Sequence, residues 1–266
     1  MISCTYTTAS AALASHYHDC HQLLYLIDGA ARVSIDGKAA YARGGSLILI
    51  NRFEEHAVTI DTSPCRRYIC RISPQVAMQQ AESHPLFAVL FDRAAPFHHI
   101  VDTRDHAAEF EALFARMADE HSAERPFADE LRQLLLRQLL IALYRLEPSL
   151  FRAPRSGVTE VVRQIQSRFA ADCRTAYSLR QLAADYHLSP YYLAHVFKTV
   201  TGYPLMTYLQ NCRLAAAKTY LAQTSLRIGE IVEACGFSDG SNFSRTFKRQ
   251  TGLSPKDFRE KYAESG

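Results

Sequence analysis

Near its C-terminal end, the chain carries a stretch whose residue types suit hydrogen bonding to a nucleic acid. Residues 238–252 read SDGSNFSRTFKRQTG. On a helix, Phe243 and Phe247 lie one turn apart on one face. The other face then carries Ser241, Asn242, Ser244, Arg245, Lys248 and Arg249. Arginine can bind guanine through two hydrogen bonds and asparagine can bind adenine in a DNA major groove, whereas cations later on the helix more naturally meet phosphates.

A similar stretch lies 50 residues earlier. Phe197 and Lys198 match Phe247 and Lys248 at an offset of 50. Upstream of each helix the offset is 49, so the second copy holds one extra residue in its turn. This pattern predicts an internal repeat of a helix–turn–helix unit.

Local signals support a helix–turn–helix in each copy. In the first, residues 179–186 form a helix, and His187 with Leu188 forms the turn. Ser189 is a good N-cap, and Pro190 suits the first helical position. In the second, residues 228–234 form the first helix, Gly236 supplies the turn, and Ser238 or Asp239 caps the next helix. Outside the core, the first copy presents Tyr191, Tyr192, Ala194, His195 and Lys198.

A predicted helix from residue 205 to about residue 222 connects the two copies. At 1.5 Å per residue it spans roughly 27 Å. A rigid connector of that length could hold two reading helices about one DNA turn, or roughly 34 Å, apart. The sequence therefore predicts a partner that is double-stranded DNA.

Residues 160–263 resemble the DNA-binding domain of AraC/XylS-type transcription regulators. The matching residues are Ile228, Ile231, Ala234, Gly236, Phe237, Phe243, Arg245, Phe247, Lys248, Gly252, Pro255 and Arg259, with Pro204, Tyr208, Arg213 and Ala216 in the connector. The resemblance implies two helix–turn–helix units in successive major grooves. The base contacts it implies are Tyr191, Ala194 and His195 in the first copy, and Gly240, Ser241, Asn242, Ser244 and Arg245 in the second.

The first copy departs from the family pattern. His187 stands where a turn glycine is common, and Ala194 offers little for hydrogen bonding; in the second copy Gly240 offers no side chain. The aromatic pair Tyr191 and Tyr192 could instead read thymine methyl groups or DNA shape.

The first hundred residues predict short strands. Apolar runs at 22–27, 31–35, 46–50 and 57–60 are separated by turn signals, including Asp28-Gly29 and Asp36-Gly37. Asp-Gly between apolar runs is typical of a hairpin, because glycine accepts a positive φ. The pattern predicts a β-sandwich or small barrel.

Residues 16–60 resemble the cupin-like sensor domain of the same family, through His16-Tyr-His18, Tyr25, Gly29, Gly45, Asn51 and His56. The resemblance implies a small organic effector in the barrel. Its expected contacts are His16, His18, Gln22, Tyr25, Arg32, Asn51 and His56. Two other interpretations stay open: the histidines could be structural, or His16, His18 and His56 could bind a transition metal. Gln22 stands where metal-binding cupins carry glutamate, so we expect no metal and no cofactor.

Residues 104–146 change to a helical period. Phe110, Leu113, Phe114 and Met117 recur at helical spacing, and a second helix over residues 127–146 is apolar around most of its circumference. Such a helix needs cover on two sides, which predicts that this segment forms a homodimer. A helix buried within the monomer is the alternative.

These boundaries give an α+β protein of two domains. Residues 1–103 form the cupin-like barrel, 104–146 its helical dimerisation segment, 147–157 a linker, and 158–266 an all-α DNA-binding domain. The linker reads EPSLFRAPRSG, with two prolines and a glycine.

Composition supports an intracellular DNA-binding protein. The net charge is +3, and basic residues outnumber acidic ones in the C-terminal domain, as suits a polyanionic partner. No apolar run approaches the roughly 18 residues that span a bilayer, and no signal peptide is apparent, so we expect a soluble cytoplasmic protein without a membrane partner. The 7 cysteines are scattered without a C-x-x-C motif, which favours reduced, mostly buried thiols.

These features predict a sequence-specific, effector-controlled transcription regulator. The resemblance implies that it is an activator, as most members of this family are, and that RNA polymerase is a further partner. It is not expected to be an enzyme. Two alternatives remain: a constitutive DNA-binding protein with a barrel that senses nothing, and a metal-dependent cupin enzyme tethered to DNA.

Overall fold

The computed structural model describes residues 1–8, 13–91, 97–123, 125–151 and 157–263. The chain divides into two compact units, residues 1–154 and 155–266. The first contains two β-sheets and helices, and the second is helical, which confirms the predicted α+β class. Within the described ranges, no helix combines the length and apolarity needed to cross a membrane.

The two sheets of the first unit are antiparallel throughout. Their strands are Ile2–Thr7 (β1), Leu13–His16 (β2), His21–Leu26 (β3), Ala30–Ile35 (β4), Lys38–Arg43 (β5), Ser46–Ile50 (β6), His56–Thr62 (β7), Arg67–Ile72 (β8) and Ile100–Asp102 (β9). One sheet has the order β1-β8-β3-β6-β9, and the other has the order β2-β7-β4-β5. The four strands predicted from apolar runs are present as β3, β4, β6 and β7.

The two Asp-Gly turns connect their strands in different ways. Asp36 and Gly37 have φ of 48° and 76° and close a hairpin between β4 and β5, where Ile35 pairs with Lys38. At Gly29 the chain instead passes from β3 in one sheet to β4 in the other. The expectation of a hairpin there is wrong, because β3 pairs with β6 and β8.

An apolar core lies between the two sheets. It contains Leu24, Leu26, Ala31, Val33, Ile35, Ala42, Ile48, Ile50, Val58 and Cys65. Since alternate residues of a strand point to opposite faces, Leu24 and Leu26 place Gln22 on the same inner face of β3. Tyr25 then lies on the outer face.

The helices of the first unit are Pro74–Ser83 (α1), Ala107–Ala123 (α2) and Ala128–Leu146 (α3), with 3-10 turns at Pro85–Leu90, Arg104–His106 and Pro148–Phe151. Of these, α2 packs against β1 and β8 of the larger sheet, and α3 packs against α2 and β1. The predicted apolar stripe of α2 is buried: Phe110, Leu113, Phe114 and Met117 are at most 3 % exposed. In α3, Leu135, Leu136, Leu139, Leu140 and Leu143 are buried as well.

The second unit contains seven helices over residues 157–263. They are Gly157–Ala171 (α4), Leu179–Asp185 (α5), Pro190–Thr201 (α6), Leu205–Gln223 (α7), Ile228–Ala234 (α8), Gly240–Thr251 (α9) and Pro255–Ala263 (α10). The connector α7 packs against α4, α6, α8 and α10. Its 19 residues make a rod of about 28 Å. Residues 152–156 of the predicted linker lie outside the described residues.

Candidate DNA-reading helices and sensor site

The second helix–turn–helix is α8, a turn and α9. Gly236 has φ of 76°, a left-handed conformation that glycine adopts without strain. A side chain there would also collide, since a Cβ would lie 2.5 Å from the carbonyl oxygen of Arg174. Asp239 caps α9: its carboxylate accepts from the backbone N–H groups of Ser241 and Asn242 at 3.0 and 2.9 Å.

The capped helix α9 is sharply two-sided. Phe243 and Phe247 are completely buried in a core with Leu214, Leu221 and Ile231. Most of the polar residues singled out by the sequence are exposed on α9: Gly240, Ser241, Asn242, Arg245, Lys248 and Arg249, with Ser244 half-buried. The cations therefore stand on the surface of a helix that its own core holds in place.

The first helix–turn–helix is α5, a turn and α6, built by the same rules. Ser189 Oγ accepts from Tyr192 N at 3.2 Å, Pro190 starts the helix, and Phe197 is completely buried. Tyr191 and Tyr192 are 84 % and 45 % exposed. His195 and Lys198 are exposed beside them, and Ala194 is half-buried.

Both reading helices end with the same device. Gly202 and Gly252 are left-handed C-caps with φ of 80° and 74°. One residue earlier, Thr201 Oγ1 donates to Phe197 O at 2.7 Å, and Thr251 Oγ1 donates to Phe247 O at 2.9 Å. The repeat that the sequence predicts is thus a repeat of hydrogen bonds as well.

Three histidines of the first unit converge. One side-chain nitrogen from each of His16, His18 and His56 lies within 4.8 Å of the other two, and the Nε2 atoms of His16 and His18 are 3.1 Å apart. The strand pairing explains this, because His16 of β2 lies directly opposite His56 of β7. His56 Nδ1 is 2.8 Å from the carbonyl oxygen of Glu54. Burial lowers the pKa of His56 and so favours its neutral ring.

The other predicted effector contacts do not all join this cluster. Gln22 lies on the inner face of β3 and is buried. Asn51 lies in the turn before β7, where its Oδ1 accepts from Arg52 N at 2.7 Å. Asn51 therefore shapes the turn.

Tyr25 and Arg32 need correction as barrel contacts. Tyr25 stacks on Phe114 of α2, with ring centroids 5.2 Å apart, on the outer face of its sheet. Arg32 is an outward-facing residue of β4, half exposed, and pairs with Asp61 at 3.8 Å. The sequence placed both on strands, but their faces depend on which neighbours cover each sheet.

A cavity of about 390 Å³ opens between β5 and the segment 97–100. Val33, Ile35 and Ile100 form an apolar floor, and Lys38 and Tyr41 add polar groups. His99 also lines it, and its Nδ1 lies 3.0 Å from Leu49 O. No sequence signal marked Tyr41 or His99, since strand-edge contacts depend on tertiary packing.

The first unit contains two sheets, a cavity and a histidine cluster. The second contains two helix–turn–helix repeats joined by α7. This arrangement defines a two-domain protein of the helix–turn–helix class. Profiles of known families give the same division. Residues 5–140 match an AraC-like ligand-binding domain, and residues 182–261 match a helix-turn-helix domain. The chain belongs to the AraC family, whose members are DNA-binding transcription regulators.

Individual relatives are more distant. The transcriptional activator RhaR of Escherichia coli strain K12 is 28% identical over 152 residues, which cover 57% of this chain and 54% of RhaR. RhaR of Shigella flexneri matches to the same extent. The match thus spans about half the length of these relatives.

Among solved structures, ToxT from Vibrio cholerae has a similar fold. The TM-score is 0.64 with 12% identity, over 97% of both chains. ToxT with an unsaturated fatty acid bound superposes with a TM-score of 0.62 and 9% identity, over 97% of this chain and 94% of ToxT. At this identity the likeness concerns the fold alone.

Proposed function

We propose that this protein is a sequence-specific transcription regulator that binds double-stranded DNA through α6 and α9 and responds to a small organic effector in its first unit. The observation that carries the proposal is the exposed polar face of α9, held by completely buried Phe243 and Phe247 and repeated on the α6 scaffold. We also propose that it is an activator, since RhaR is described as an activator, and that it acts with RNA polymerase as a partner.

The chemistry of each face suggests a division of roles. Asn242 and Arg245, near the start and middle of α9, would read base edges, while Lys248 and Arg249 in the last turn would bind phosphates. On α6, exposed Tyr191 would contact thymine methyl groups and Lys198 a phosphate. Ser241, Ser244, Tyr192, Ala194, His195 and Gly240 would complete the two contact surfaces.

Selection of bound sequences from random DNA tests the proposal. The full chain should enrich one motif with two half-sites about one helical turn apart. Arg245→Ala should then weaken binding to that motif by about 1–3 kcal/mol, while binding to random DNA changes little. Lys248→Ala is the matched control and should weaken both to a similar degree.

Failure to enrich any sequence would overturn the proposal. An equal loss on selected and random DNA in Arg245→Ala would reduce this residue to a phosphate contact.

We place the effector in the cavity of about 390 Å³ beside β5, close to the histidine cluster. The link is Glu54, whose carbonyl holds His56 at 2.8 Å and whose carboxylate lies 3.8 Å from His99 Nδ1. An effector switches the protein only if it binds one conformation more tightly than another.

Thermal unfolding of the full chain against sugars, aromatic acids and amino-acid derivatives tests this placement. A ligand that binds only the folded state at a hundredfold excess over its dissociation constant stabilises by about 2.7 kcal/mol. Ala40→Phe, which fills the cavity edge, should abolish that shift, whereas Thr59→Phe on the exposed side of β7 should keep it. A shift that survives Ala40→Phe would place the effector elsewhere.

We propose a homodimer through the exposed side of α3. Leu134 and Tyr144 of this helix are 58 % and 47 % exposed, and Ile141 between them is half-buried. Deleting residues 104–146 would be a poor test, because Phe114 and Leu139 belong to the core of the unit. Leu134→Glu should instead give a monomer by light scattering, with Met206→Glu, an exposed apolar residue of the second unit, remaining dimeric.

A further inference from the structure

The histidine cluster has the spacing of a metal site that is nearly assembled. Two nitrogen ligands at 2.0–2.1 Å from a tetrahedral metal lie about 3.3 Å apart. The Nε2 atoms of His16 and His18 are 3.1 Å apart, and the third nitrogen lies within 4.8 Å of both. A movement of the third ring by up to about 1.5 Å would complete three ligands of a tetrahedron.

His56 is oriented as metal-binding histidines are. Such a ring usually donates its second N–H to a carbonyl or carboxylate, which fixes the tautomer and leaves the other nitrogen as a ligand. Here Nδ1 donates to the carbonyl oxygen of Glu54 at 2.8 Å. The remaining Nε2 is fully buried and has no hydrogen-bond partner among the described residues. A buried acceptor without a partner is costly, and a metal ion would remove that cost.

Hydrogen bonding between the rings does not account for all three histidines. His16 and His18 can share one proton at 3.1 Å, but this bond gives His56 Nε2 nothing to accept. Gln22 Oε1, on the inner face of β3, is likewise buried without a partner in the described part of the chain. His56 Nε2 and Gln22 Oε1, two buried acceptors without a partner among the described residues, favour a cation-binding site over a purely structural cluster.

The donor set selects the kind of ion. Three imidazoles suit zinc and other late transition metals, whereas magnesium and calcium prefer oxygen ligands. Arg71 lies opposite Gln22 in the sheet and close enough to His56 to act on its charge. A neutral donor set beside an arginine leaves the fourth position to water or an anion.

We propose that His16, His18 and His56 bind one transition-metal dication of the zinc class, with the fourth coordination position open. The sequence argued against this because Gln22 replaces a glutamate, but three histidines with an open position are a sufficient zinc ligand set. This site goes beyond the proposed function, and its test involves neither DNA nor an effector.

The test is a titration of the untagged full chain, stripped with a chelator and dialysed, with Co²⁺ and then with Zn²⁺ in competition. Visible absorption of Co²⁺ in a site of low coordination number should saturate at one equivalent, and Zn²⁺ should displace it. His18→Asn and His56→Gln should each weaken Co²⁺ binding by at least about tenfold, since even the loss of an outer-shell partner costs 10–100-fold. His106→Asn, an exposed histidine outside the cluster, should bind as the unchanged protein does.

The control for folding is the far-ultraviolet circular dichroism of each variant. His16 and His18 are half-buried, so His16→Asn decides the question if His56→Gln does not fold. The proposal is overturned if the unchanged protein binds no stoichiometric Co²⁺, or if His16→Asn and His18→Asn bind it as tightly. A thiolate-to-cobalt absorption band would also overturn it, by showing that cysteines supply the ligands.

Discussion

In the first helix–turn–helix, α6 exposes two tyrosines and one lysine, whereas in the second α9 exposes small polar residues and three cations. Beneath these exposed faces, the two helix–turn–helix repeats have closely similar cores and helix ends. Phe197 and Phe247 are both completely buried, and each helix ends in a left-handed glycine after a threonine that bonds the preceding turn. The comparison teaches that the scaffold and the reading surface are separable: core, caps and turn build the unit, and the exposed residues are left to choose the DNA.

The turns are where the two scaffolds diverge. His187 in the first turn and Gly236 in the second occupy equivalent positions, with φ of 55° and 76°. For a residue with a Cβ, this left-handed conformation costs about 1–2 kcal/mol. The first helix–turn–helix tolerates that cost at His187. The second cannot tolerate it at Gly236, because the Arg174 carbonyl occupies the space of a side chain.

The largest expected effect tests whether the two scaffolds are equivalent. Phe197→Ala and Phe247→Ala should each destabilise the second unit by about 3–5 kcal/mol, since both rings are completely buried. Urea unfolding of the full chain, followed by circular dichroism, measures this. Tyr191→Ala, at a residue 84 % exposed, should change stability by less than about 0.5 kcal/mol. A stable Phe197→Ala would show that the first helix–turn–helix does not depend on its buried phenylalanine as the second does.

The next effect concerns the turns. Gly236→Ala should destabilise by about 2–3 kcal/mol, because conformational strain adds to a 2.5 Å contact with backbone. Gly252→Ala is the matched control: its φ is 74° but nothing lies within 4 Å of a Cβ, so about 1 kcal/mol is expected. His187→Gly should be neutral or stabilising by up to about 1 kcal/mol. Equal losses in the two glycine variants would remove the role assigned to the Arg174 carbonyl.

The smallest effect separates the two reading surfaces by charge. Replacing both Lys248 and Arg249 with alanine should reduce the slope of log K against log salt by about 2, and Lys198→Ala by about 1, if each cation neutralises one phosphate. Fluorescence anisotropy with the selected DNA at several salt concentrations measures both slopes. Arg43→Ala, at an exposed cation of β5 outside the cavity lining, serves as the control with an unchanged slope. Equal slopes in all variants would mean that these cations do not meet phosphates.

Local signals explain why so much of the second unit was predictable. Ser189, Pro190 and the paired phenylalanines act over a single helical turn, so their consequences can be read from neighbouring residues. The first unit was less accessible. The strands β1, β2, β5, β8 and β9 and the helix α1 were not predicted, and β1 and β8 lie far apart in the chain. Their partners are 60 or more residues apart, as in Cys4 opposite Cys70, and no local pattern encodes such pairing.

By itself, the sequence determined the repeat, the helix caps and the polar face of α9, because these depend on residue type and on spacings of three or four positions. It also determined which histidines were candidates for a site. Only the tertiary structure decided that His16, His18 and His56 meet while Tyr25 and Arg32 face away. The reason is that strand register and sheet pairing choose which face of each strand is inside, and both are set by contacts between residues far apart in the chain.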